Sequence, residues 1–175
     1  MSNVWPPSAS RDVSGALSVG GVDVRDAAAQ FGTPLFLLDE QSVRSRAREY
    51  KAAATAVGAQ QVYYAAKAFL ATRVAQWVHE EGLGIDVASG GELAVALRAG
   101  VPGADLVMHG NNKSAQEIDA ALAAGVGRIV LDSFEEIVRV ADAAQRAGVV
   151  QPVLLRVTIG VEAHTHEFIA TAHED

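Results

Sequence analysis

From Val62 onward the chain repeats one arrangement: a short apolar run, a few small or polar residues, then a stretch with helical spacing. The runs are VYYAAKAF (62–69), GIDVAS (84–89), LVMHG (106–110), RIVLDS (128–133) and PVLLRVTI (152–159). With Val62, Ile85, Val107, Ile129 and Val153 as markers, successive runs lie 23, 22, 22 and 24 residues apart, room for one strand and one helix each. The leading run does not alternate polar with apolar, as a strand with one wet face does. Ser114 with Glu117 and Ser133 with Glu136 fit the Ser-x-x-Glu box that opens a helix. Gly100, Gly125 and Gly148 fall where the apolar spacing stops, and predict the helix ends. In the last of these helices Ile137, Val140, Ala141 and Ala144 predict the inward stripe. Upstream, residues 40–58 predict a helix ending at Gly58, PLFLLD (34–39) predicts a strand, and residues 1–33 read as an arm before the core.

Strands joined by crossover helices lie parallel, and apolar parallel strands are covered on both faces. The fold class is therefore α/β. A doubly wound nucleotide fold would need a glycine-rich turn directly after the first strand. Leu70, Ala71, Thr72 and Arg73 stand there instead, and GLG (82–84) precedes a strand rather than following one. The short, even repeat predicts a (β/α)8 TIM barrel, of which five βα units of the eight are present. The domain division that follows is 1–39 as arm and strand, and 40–175 as an incomplete barrel.

Composition changes this picture little. The 175 residues are half hydrophobic and one-fifth charged, which is ordinary for a globular domain. The net charge is −7 and the 14 Lys and Arg residues are scattered, so nothing recommends nucleic acid as a partner. The absence of cysteine removes disulfides, thiolate metal sites and a cysteine nucleophile. MSNVWPPSAS has neither the basic start nor the apolar centre of a signal peptide, and no run approaches a membrane span, so a soluble cytoplasmic protein is expected.

In barrels the chemistry gathers at the C-terminal ends of the strands. Those positions hold Lys67, Asp86, His109 with Asn111 and Asn112, Asp132, and Arg156. Lys67 is the sharpest, because an ammonium in an apolar run is costly without a partner. It either snorkels to solvent or serves chemically. A desolvated, partly neutral amine condenses with a carbonyl, either a substrate ketone or the aldehyde of pyridoxal phosphate.

The motifs VYYAAKAF, GLGIDVASGGEL, HGNNKS, VLLRVTIGVEAHTHEF and TAHED together resemble the N-terminal part of the diaminopimelate decarboxylase family, among the alanine-racemase-type barrels (fold-type III). The likeness runs from about Phe31 to the last residue. It implies pyridoxal 5'-phosphate as cofactor, carried by Lys67, the catalytic residue. It further implies cofactor-binding roles for Asp86, Glu92 and Arg156, and for His109 and Asn111 at the third strand end. The implied reaction is decarboxylation of meso-2,6-diaminopimelate to L-lysine and carbon dioxide, by a homodimer. HGNNKS and GVEAHTHEF favour this substrate over ornithine or arginine, the substrates of related lyases. In the family the chain continues well beyond TAHED, with a stacking histidine, a phosphate loop and a β domain that residues 1–39 would join. The expectation is therefore a truncated N-terminal portion, inactive by itself; the rivals are another fold-type III decarboxylase or racemase, and a non-catalytic piece that only associates with other subunits.

Three further features have plainer readings. His164, His166 and His173 among nearby glutamates suggest a metal cluster, but the loop context and the resemblance favour an active-site flap, and no metal is expected. RSRAR (44–48) reads as a solvated helix face, and Trp77 with Val78 as core. Gly90 and Gly91 read as a turn, although a helix start there would suit an anion.

Overall fold

The computed structural model describes residues 5–157. The N-terminal part is more than an arm. A three-stranded antiparallel meander, β1 (Ser10–Arg11), β2 (Leu17–Val19) and β3 (Val22–Asp23), leads directly into helix α1 (Val24–Phe31). Asp23 caps α1 by accepting from the Arg25 N–H. Residues 34–39 form no strand, because they pair with nothing among the described residues, and Phe36 is 95% exposed.

Helix α2 (Glu40–Ala56) follows, capped by Asp39, and the repeat then unfolds as expected. Strands β4 (Tyr63–Ala65), β5 (Gly84–Val87), β6 (Leu106–Met108), β7 (Arg128–Leu131) and β8 (Val153–Leu155) form one parallel sheet in sequence order. Helices α3 (Thr72–Glu80), α4 (Gly90–Arg98), α5 (Ala115–Ala123) and α6 (Phe134–Ala147) make the crossovers. The order is that of an unclosed barrel wall. Burial follows it: β6 is buried throughout, whereas the edge strand β8 is exposed at all three residues.

The core lies between sheet and helices, around Ile85, Val87, Leu93, Leu106, Met108, Ile118 and Ile129. Gly90 and Gly91 are not a separate turn but the first residues of α4. The α6 stripe is also rotated from expectation. Glu136, Val140 and Ala143 face inward while Ile137 and Ala141 are exposed. A charged residue takes the core position because Lys113, equally buried, pairs with it. Arg44 is likewise no simple solvated residue: it bonds Glu40, Glu80 and Glu81, and Arg48 joins at Glu81, so α2 is clamped to the end of α3. Val78 is core as expected, with Trp77 packed partly buried against it. No helix among the described residues is long and apolar enough to cross a membrane.

Candidate functional site

Register determines what meets at the sheet's C-terminal rim. Ala65 pairs with Asp86, Val87 with Met108, and Leu131 with Leu155, so the residues just beyond these pairs share one edge. A cleft of about 500 Å³ opens there, lined by Ala65, Lys67, Asp86, Ala88, His109, Gly110, Asn111 and Arg156. Four strand ends, from β4, β5, β6 and β8, contribute to it. Five of the six expected site residues are brought together; Glu92 is not among them.

Lys67 is not inside a strand. Strand β4 stops at Ala65, and a 3-10 turn, Ala66–Ala68, carries the lysine. Ala66 is buried in the core while Lys67 is exposed, so its side chain projects out of the turn. The Tyr64 hydroxyl closes the segment by donating to the Phe69 carbonyl at 2.7 Å, across the lysine. Burial pushes the Tyr64 phenol up, against a smaller opposing effect of that bond. The expected apolar enclosure of Lys67 is absent, because β4 is an edge strand and the small neighbours Ala66 and Ala68 cover little. The amine forms no ion pair among the described residues, which leaves it available to a ligand.

Asp86 and His109 face each other across β5 and β6, with Nδ1 3.2 Å from Oδ1 and 3.3 Å from Oδ2. Against an ionised carboxylate, which only accepts, the ring proton sits on Nδ1. The His109 backbone is fixed by its N–H donating to Val87 O at 2.7 Å. Arg156 continues the β7–β8 ladder through its N–H to Leu131 O, and its Nη1 donates to Asp132 Oδ1 at 3.1 Å. Thus Asp132, at the fourth strand end, reaches the cleft through the arginine it holds.

Glu92 has a different task. Ser89 Oγ accepts from the Glu92 N–H at 3.2 Å, and Glu92 Oε2 accepts from the Ala88 N–H at 2.7 Å. The carboxylate thereby fixes the backbone of a cleft-lining residue. The Ser114–Glu117 box is complete, and Glu117 also accepts from the Gly90 N–H at 2.7 Å. The anion at the start of α4 is therefore the protein's own carboxylate. At Ser133–Glu136 only half the box forms: Ser133 Oγ accepts from Glu136 N–H, but the glutamate turns to Asp132 N–H and Lys113. Ala65, Ala88 and Gly110 are cleft residues that residue chemistry alone does not flag; their signal is smallness beside a strand end. The His164, His166 and His173 segment lies outside the described residues.

The strand ends of this α/β barrel wall bring together an amine with no ion pair among the described residues, a carboxylate–imidazole pair and an arginine, a set able to hold an aldehyde cofactor. The donor set fits pyridoxal phosphate: a primary amine for the aldehyde, with hydrogen-bonding and cationic groups around it. The comparisons agree. Residues 41–175 match the family described as pyridoxal-dependent decarboxylase, pyridoxal binding domain, and the chain belongs to that family. It is 56% identical over 174 residues to the diaminopimelate decarboxylase of Mycobacterium leprae, covering 99% of this chain and 36% of that protein. The crystal structure of diaminopimelate decarboxylase from M. jannaschii superposes with a TM-score of 0.80 at 27% identity, over 92% of this chain and 38% of that one. A lysine/ornithine decarboxylase from Vibrio vulnificus, complexed with putrescine, gives 0.64 at 29% identity, over 77% and 35%. The chain thus spans little more than a third of the length of these relatives.

Proposed function

We propose that this chain forms the cofactor-anchoring part of a decarboxylase that converts meso-diaminopimelate to L-lysine and carbon dioxide. The observation that carries the reading is the 56% identity to a diaminopimelate decarboxylase over almost the whole chain. The cleft geometry supports it at the level of residues.

Lys67 is the catalytic residue in this reading: its primary amine would hold the cofactor by its aldehyde. Asp86 and His109, bonded to one another, orient the groups beside that amine. Arg156, steadied by Asp132, presents a fixed cation on the opposite side of the cleft. Asn111 offers a neutral donor and acceptor at the rim. Glu92 acts indirectly, by holding Ala88 against the cleft. When bound, pyridoxal phosphate supplies the electron sink that accepts the pair freed as the carboxylate departs.

The remaining attributes rest on the family resemblance: a cytoplasmic homodimer, with residues 1–39 adding a strand to a β domain. A second reading, decarboxylation of ornithine or lysine, draws on the likeness to the Vibrio vulnificus enzyme, at a lower TM-score than the diaminopimelate decarboxylase structure. Carbon dioxide release by the full-length protein decides between them. Turnover of meso-diaminopimelate with little on ornithine, lysine or arginine is expected; comparable rates on all four would overturn the substrate assignment.

A further inference from the structure

Lys113 and Glu136 are the buried charged residues among those described, at 1% and 2% exposure, and neither lines the cleft. Their Nζ and Oε2 are 2.9 Å apart. A buried ion pair is seldom worth more to stability than two apolar residues of similar volume, because desolvating both charges offsets their attraction. Stability is therefore a poor reason for this pair. Its remaining bonds suggest another. Lys113 Nζ also donates to the Gly110 carbonyl at 2.5 Å, and Gly110 lines the cleft between His109 and Asn111. Glu136 Oε2 also accepts from the Asp132 N–H at 2.9 Å, and Asp132 holds Arg156. Arg139, one turn along α6, donates to the Lys113 carbonyl at 3.0 Å and ties the loop to the same helix.

The connection therefore runs from Gly110 through Lys113, Glu136 and Asp132 to Arg156, joining two walls of the cleft. The His109–Asn111 wall has little slack. Gly110 has φ +97°, and a Cβ placed on it would lie 2.9 Å from the Ala88 carbonyl oxygen. A shift at Lys113 would thus be felt at Gly110 and at the Ala88 loop beside it.

We propose that Lys113 and Glu136 are a pair of positioning residues, which set the His109–Asn111 loop and the Asp132–Arg156 pair relative to one another and so tune the hold on the cofactor. The last clause rests on the reading of the cleft as a pyridoxal phosphate site. The pair transmits position and touches neither cofactor nor substrate.

The test uses the full-length protein and the double variant Lys113→Met with Glu136→Leu, which keeps volume and removes both charges together. Melting temperature, affinity for added pyridoxal phosphate by absorbance, and amide hydrogen exchange without cofactor are measured on it, on Glu136→Gln and on wild type. The expected result is a melting temperature near wild type, affinity weakened by about tenfold or more, the size of effect that loss of outer-shell partners has at metal sites, and faster exchange in both 109–112 and 132–133. In Glu136→Gln, faster exchange at 109–112, far from the substitution in sequence, is the signature that a local packing role does not produce. Unchanged affinity in the double variant, or exchange in Glu136→Gln that is altered at 132–136 and not at 109–112, overturns the proposal. If wild type takes up no cofactor, the reading of the cleft fails, and the exchange measurement still decides the coupling.

Discussion

The Asp86 carboxylate holds the His109 ring across two neighbouring strands, with Nδ1 within 3.2 Å of Oδ1. An imidazole left without this partner would rotate freely at the rim. Asp86→Ala, which removes the acceptor, is therefore expected to weaken pyridoxal phosphate binding by roughly tenfold or more, since hydrogen bonds to charged groups are worth about 1.5–3 kcal/mol. Absorbance titration of the full-length variant checks this, and an unchanged affinity would mean that the pair has no part in holding the cofactor.

Gly110 is where the site's backbone is tightest. The φ of +97° and the 2.9 Å approach to Ala88 O both penalise a side chain. Gly110→Ala is expected to cost about 1–3 kcal/mol. Gly125→Ala, where φ is also positive but nothing lies within 4 Å of the added carbon, should cost less. Chemical denaturation of the two variants gives the comparison, and equal losses would refute the steric argument.

The five strands, their helices and the shared rim are legible in the hydrophobic pattern, because burial and helix capping are written in local residue order. The pattern also points to Lys67. What it does not convey is direction. Nothing in DSFEEI says that Glu136 points inward, since that depends on Lys113, more than twenty residues earlier. Nothing in GGEL says that Glu92 spends its carboxylate on Ala88 N–H. The meander at 10–23 was missed because its strands are two or three residues long, too short for alternation to register. Lys67 was expected in an apolar strand, yet a 3-10 turn ends β4 and exposes it.

Acid sensitivity should be traceable to Glu117. Bonds from the Ser114 N–H, the Gly90 N–H and the Ser114 hydroxyl hold its carboxyl below the ordinary 4.5. A depressed folded-state value means that the stabilisation is fully present above the unfolded value and is lost as pH falls through the folded one. Glu117→Gln should therefore flatten the fall in melting temperature below about pH 4.5 and change little at neutral pH beyond the loss of the charged bonds. A parallel acid limb in wild type and variant would contradict this.

The exposed apolar edge at β8 should drive association of the 175-residue chain. Val153, Leu154 and Leu155 are 41%, 45% and 65% exposed, and β8 has no partner on its outer side among the described residues. Edges without charge invite pairing with another chain. Size-exclusion chromatography is expected to show species larger than a monomer, reduced by Leu154→Lys; a sharp monomer peak for the unchanged chain would refute it.

Lys67 is the proposed carrier of pyridoxal phosphate. The most direct measurement is borohydride reduction of the cofactor-treated full-length protein, followed by peptide mapping. The pyridoxyl mass is expected on the peptide containing Lys67, and on no peptide after Lys67→Ala. The mass on Lys51 or Lys113, or spread over several lysines, would contradict this assignment.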